Sequence, residues 1–177
     1  QKKYPFLLLR KANETKISND FEEALQLNNL NFEESDACLL VGVNPRYESP
    51  YLNLKLKKRF MKGNFQVFSI NPKTNLTFPT VCLGSSLKKF KSIVEGNSSI
   101  CSNFKNNKNL LTITNTELFN RNDSFGISQL FNVFVELNSK TKGSFNLLNT
   151  SINESGLNIL NSFKNLKKNE LNKIAGL

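Results

Sequence analysis

The sequence predicts an α/β fold built on a parallel sheet, and three stretches carry that prediction. The first, residues 35–62 (SDACLLVGVNPRYESPYLNLKLKKRFMK), reads as a buried strand, a tight polar loop and a basic helix. The second, residues 65–70 (FQVFSI), is β-branched and aromatic and follows that helix after a glycine stop. The two strands and their helix form a unit of about thirty residues, the size of a crossover between parallel strands. The third, residues 110–114, is another apolar strand, followed by a helix in which Ile127, Leu130, Phe131 and Phe134 recur at helical spacing.

Taken in order, residues 4–10 (YPFLLLR) read as a short buried strand entering after Pro5, and residues 12–19 as polar loop. Residues 20–27 give one or two helical turns, with Asp20 and Glu23 spaced as a capping box, and residues 28–31 a turn. The strand at 38–41 (CLLV) is preceded by the polar run Glu33-Glu34-Ser35-Asp36 and closed by Gly42. Pro45 stops it, because proline lacks an amide hydrogen and restricts Asn44 to extended geometry. Ser49 then reads as a helix cap, with Pro50 at the first position, where a missing donor costs nothing. Leu52, Leu56 and Phe60 share one face of that helix, with Lys55, Lys58 and Lys62 along its flank.

Gly63-Asn64 ends the helix through a left-handed cap. Residues 71–77 are loop, and residues 78–83 a short strand or extended segment interrupted by Pro79. Ser85 or Ser86 starts a further helix with Leu87, Phe90, Ile93 and Val94 on one face, Lys88, Lys89 and Lys91 outside, and Gly96 at its end. Residues 97–109 are polar apart from Ile100 and Phe104. Asp123 or Ser124 caps the helix that carries Ile127, and residues 120–123 form the second polar loop on a strand-to-helix connection. Residues 138–143 read as a turn, residues 145–155 as a helix through Leu148 and Ile152, and residues 163–174 as a Lys- and Asn-rich helix.

Composition bounds the function. The 177 residues, 38% hydrophobic with 15 Phe, suffice for one domain or part of a larger one. No apolar run of about 18 residues predicts a membrane-spanning helix. The chain opens on Gln1 without a signal-peptide pattern, so either processing or a longer parent product is expected. Lys and Arg outnumber Asp and Glu by 24 to 14, giving a net charge of +10, but no long basic block occurs. The expected role of that charge is a solvated face or one packed on acidic neighbours. The Asn, Lys and Phe bias suggests an AT-rich, organellar coding sequence.

With no His and only three widely spaced cysteines (Cys38, Cys82, Cys101), a zinc or iron–sulfur site cannot be completed internally. Cys38 is expected to act as a small core hydrophobe, and the odd cysteine count argues for a reducing compartment. Dinucleotide, P-loop and nucleophile-elbow motifs are missing, and so is the commonest general base. Glu33, Glu34, Asp36, Glu48, Glu117 and Asp123 lie at element ends or on exposed faces, where capping or solvation is the expected role.

The run Glu33-Glu34-Ser35-Asp36 followed by LLVGVNPRYESP and a basic helix resembles the large iron–sulfur subunit of respiratory complex I, the NuoG family, in its C-terminal, molybdopterin-oxidoreductase-like region. FQVFSI with Asn71-Pro72, the stretch LTITNTELFNRNDS at 111–124, and a fainter echo at 145–160 support the likeness, which covers residues 17–160. The resemblance implies a Rossmann-like three-layer lobe that is incomplete, occupying residues 1–160, with residues 161–177 a C-terminal helix leading into a truncated strand. It further implies a mitochondrially encoded split fragment on the matrix side of the inner membrane, partnered by other complex I subunits, above all the iron–sulfur part. Iron–sulfur clusters, FMN and NADH would sit on those partners, with no cofactor, metal or catalytic residue in this chain.

In molybdopterin enzymes a Gly-x-Asn-Pro loop contacts the guanosine of the cofactor, and the next strand ends in an acid that binds ribose. The resemblance therefore marks Gly42, Asn44, Pro45, Arg46 and Asn71 as a vestigial loop, Asn71 standing where the acid would be. An amide in that place loses the charge-assisted share of the bond, about 1–2 kcal/mol. Arg46 is expected to pair with Glu48 or with a neighbouring subunit. The alternative reading is a basic RNA-binding or mitochondrial ribosome-associated protein, which the charge permits. Against it, Phe6, Phe32, Phe60 and Phe131 fall on predicted buried stripes and not on a stacking surface.

Overall fold

The structure is a computed structural model and describes residues 32–72, 75–101, 104, 109–139 and 143–149. The elements expected at 4–10, 20–27 and 163–174 lie outside these residues.

Among the described residues five strands form one parallel sheet: β1 (Ala37–Val41), β2 (Gln66–Ile70), β3 (Val81–Gly84), β4 (Leu110–Asn115) and β5 (Ser144–Leu148), in the order β3-β2-β1-β4-β5. Strand β1 is central because it is apolar on both faces, as a strand covered on both sides must be. Ala37 pairs with Gln66 on one side and Leu110 on the other, and Val41 with Ile70 and Thr114. The side-chain period of two divides its residues between two cores. Leu39 and Val41 join Phe68, Phe90, Phe131 and Leu147 on one face, and Cys38 and Leu40 join Leu52, Leu56, Val67 and Ile113 on the other.

The helices divide accordingly. Helix α1 (Pro45–Glu48) and helix α2 (Pro50–Met61) follow β1, and α2 buries Leu52 and Leu56 in the second core. Helix α3 (Leu87–Val94), capped by the Ser86 hydroxyl accepting from the Lys88 amide, and helix α4 (Ser124–Ser139) cover the first core. Three layers result. The expected faces of α3 hold: Phe90 and Ile93 are buried, while Lys88, Lys89 and Lys91 are exposed. Gly63 at φ +83° and Gly96 at φ +78° provide the left-handed stops after α2 and α3. Ile100 and Phe104 pack on the first core, Phe104 edge-on to Phe68 at 5.2 Å.

Three expectations require correction. Residues 144–148 form the edge strand β5 and not a helical turn; β4 supplies a parallel ladder from Leu111–Ser144 to Asn115–Leu148. The Phe145–Leu148 spacing is compatible with a helix, but the available ladder decides the state. Second, the loop after β1 includes the helical turn α1, capped by the Asn44 side chain. Third, Ser49 occupies the cap position of α2 without a side-chain cap bond, and its own N–H closes α1 on the Pro45 carbonyl.

The cysteines behave as their burial dictates. Cys38 is fully buried and its thiol is pushed far up by desolvation, while Cys82 is exposed and Cys101 half-buried. Iodoacetamide in mildly alkaline buffer is expected to alkylate Cys82 first and Cys101 next, with Cys38 reacting only on unfolding. Peptide mass mapping over time checks the order.

Candidate functional site

The connection from β1 to β2 carries α2 on one face of the sheet, and that from β4 to β5 carries α4 on the other. The carboxyl ends of β1 and β4 therefore diverge at a topological switch point, where open α/β sheets bind ligands. The loop from Gly42 to Asn44 forms one wall. A 3-10 turn, Thr116–Asn120, forms the other, opened by Asn115 whose side chain accepts from the Glu117 amide at 2.9 Å.

This crevice is filled from within. Gly42 takes φ +65°, and a Cβ placed on it would meet Leu118 Cδ1 at 2.8 Å, so the leucine from the second wall rests on the glycine of the first. The Glu48 carboxylate laces the walls together. Its Oε1 accepts the Asn44 backbone N–H at 2.7 Å and its Oε2 accepts Asn115 Nδ2 at 2.6 Å. Such short bonds to an ionised acceptor are the stronger kind. Beneath them, Thr114 donates its hydroxyl to the Val41 carbonyl at 3.0 Å.

The residues singled out by sequence meet at the first wall, each turned toward the protein itself. Asn44 Oδ1 accepts the Arg46 amide at 3.3 Å, and the Asn44 carbonyl accepts from Tyr47 and Glu48. Pro45 is buried at the first position of α1. Asn71 donates its amide to the Val43 carbonyl at 3.0 Å, tying the end of β2 to the loop. Arg46 donates to the Asn75 carbonyl at 2.9 Å and lies 5.8 Å from the Tyr47 ring centroid, so it does not pair with Glu48. By sequence Glu48 is only an acid at the end of an element. Its partner Asn115 is 67 residues away, and no local signal in the sequence announces that bond.

Carboxylates displaced from their ordinary range lie elsewhere, in exposed pairs. The hydrogen bond from Lys62 holds the Glu33 carboxyl below its usual value, and the hydrogen bond from Arg121 does the same for Asp123. Among the described residues no group of three or more Cys, Asp or Glu could hold a metal ion, and no helix is long and apolar enough to cross a membrane.

A family model described as molybdopterin oxidoreductase matches residues 5–176. The chain belongs to the molybdopterin oxidoreductase family. It is 33% identical over 156 residues to the NADH-ubiquinone oxidoreductase 75 kDa subunit of Reclinomonas americana, a match covering 79% of this chain and 23% of that protein. The mitochondrial NADH-ubiquinone oxidoreductase 78 kDa subunit of Candida albicans is 31% identical over 58% of this chain and 14% of its own length. An NADH-quinone oxidoreductase subunit of Rickettsia bellii is 31% identical over 59% of this chain and 15% of its own length. The chain thus spans less than a quarter of each of these relatives.

The family resemblance would place a guanosine at the switch-point loop. In this structure the groups there are engaged with the protein itself. The Asn44 and Arg46 amides are committed to Glu48 and to the Asn44 side chain, the Asn71 amide is committed to Val43, and Leu118 stands over Gly42. Replacing Glu48 with Gln leaves a side chain that can accept only one of the two bonds. Amide exchange at Asn44 is expected to speed up about tenfold, the effect of weakening one charge-assisted bond at an exposed position. Hydrogen-exchange mass spectrometry resolves that peptide.

Proposed function

We propose that this chain is a structural, non-redox part of the peripheral arm of NADH:ubiquinone oxidoreductase, respiratory complex I, on the matrix side of the mitochondrial inner membrane. The observation that carries the non-redox part is the Glu48 bridge, which together with Leu118 turns a ligand crevice into a braced joint between two loops. Complex I membership is supported by relatives that are themselves named as subunits of NADH-ubiquinone or NADH-quinone oxidoreductase. In this reading NADH, FMN and the iron–sulfur clusters belong to partner subunits. The domain contributes rigidity: a sheet covered on both faces, with its switch point closed, holds neighbouring parts at fixed separation.

The test is native electrophoresis of solubilised mitochondrial membranes, with in-gel staining for NADH dehydrogenase activity and peptide identification band by band. The chain is expected in the large active band beside the iron–sulfur subunits, with no pterin released on acid extraction of the isolated chain. Recovery only among ribosomal proteins, or only as a free chain, would overturn the proposal.

A further inference from the structure

Helix α2 is apolar on the side away from the sheet as well as on the side facing it. Leu52 and Leu56 are buried below, yet Tyr51, Leu54 and Met61 stand in solvent at 69%, 62% and 76% exposure. Tyr51, Leu54, Lys58 and Met61 recur at helical spacing and so share one outer face, about 15 Å long. Tyr47, 75% exposed on α1, precedes the row. A helix that meets only water places polar residues there, and clustered exposed apolar side chains mark contact surfaces.

The charge on this helix has one sign. It carries Lys55, Lys57, Lys58 and Arg59 and no acid. Arg59 is used internally, donating to the Gly63 and Ser35 carbonyls, and Lys62 just beyond the helix pairs with Glu33. Lys55 and Lys58 are both exposed, the Lys55 ammonium lying 4.9 Å from the Tyr51 ring centroid. We propose that the outer face of α2 is a docking surface for another protein subunit whose own surface carries aliphatic side chains flanked by Asp or Glu. Tyr51, Leu54 and Met61 are its apolar anchors, with Lys58 among them and Lys55 beside Tyr51 to meet the carboxylates. Apolar anchors ringed by complementary charge are the ordinary anatomy of such contacts.

The same features fit other partners less well. Leu54 and Met61 offer nothing to a phosphate backbone or a stacked base, and cations already lie against Tyr47 and Tyr51. Three apolar side chains along about 15 Å can anchor a protein contact, but they fall short of the continuous wedge that holds an interfacial helix in lipid.

The inference rests on the proposed function, and its test separates the two. Intact complex from the active native band is treated with a water-soluble carbodiimide, which joins lysine to carboxylate without a spacer. A parallel sample is pulse-acetylated alongside the isolated chain. Lys55 or Lys58 is expected joined to an Asp or Glu of another subunit, and acetylated about tenfold more slowly in the complex than alone. A chain present in the active band whose Lys55 and Lys58 acetylate at the isolated rate, with no inter-subunit link, overturns this surface and leaves the proposed function standing. If the chain is absent from that band, the proposed function fails first. The surface is then judged in the fraction that holds the chain: a link to another protein's carboxylate upholds it, and ultraviolet crosslinks to RNA, co-flotation with anionic lipid vesicles, or no link at all overturns it.

Discussion

Phe131→Ala is expected to lower the unfolding free energy by about 3–5 kcal/mol, the range for truncating a fully buried phenylalanine. Phe131 is 0% exposed, and its ring lies 4.6 Å from that of Phe90 and 5.5 Å from those of Phe119 and Phe145. Those four residues come from α4, α3, the 3-10 turn and β5, so one side chain joins four separately folded pieces. Alanine removes the transfer energy of the ring and leaves a cavity walled by stiff aromatics that cannot collapse into it. Phe125→Ala on the same helix, where the ring is 76% exposed, is the control and should stay within about 0.5 kcal/mol. Urea unfolding followed by far-ultraviolet circular dichroism gives both values, and equal losses would show that α4 is not packed as described.

Gly42→Val is expected to cost about 2–4 kcal/mol, from two sources that can be separated. At φ +65° a branched side chain is strained whatever the space around it, and the added Cβ would press on Leu118, whose Cδ1, Cγ and Cδ2 lie 2.8, 3.1 and 3.2 Å away. Leu118 is only half-buried, so it can swing aside, and doing so would open the crevice that it fills. Combining Gly42→Val with Leu118→Ala should recover the steric share and leave the backbone strain, which a double-mutant cycle reads as coupling between the two positions. Additive losses would mean that the leucine does not rest on the glycine.

Most of the sheet was legible in the sequence, because its signals are local. A run such as Cys38 to Val41 closed by Gly42, or Ile127, Phe131 and Phe134 recurring along one helix, is written in neighbouring residues and survives any tertiary context that buries it. The family resemblance rests on the same local runs. Strand β5 was not legible in this way: Ser144 to Leu148 has weak preferences, and its conformation is decided by the ladder that β4 offers. An edge strand owes its state to a partner distant in sequence, and periodicity within five residues carries no record of that partner.

The candidate site divides along the same line. The sequence by itself placed Gly42, Asn44, Pro45 and Arg46 at the carboxyl end of one strand and Asn71 at that of the next, and the absence of histidine and of clustered ligands narrowed the chemistry there. Only the tertiary structure decided what those residues do. It brought Asn115 and Leu118 across the switch point, set Glu48 between two loops and turned Asn71 onto Val43. Hydrogen-bond donors and acceptors are spent on whichever partner lies within about 3 Å, and that distance exists only after the strands have found their order.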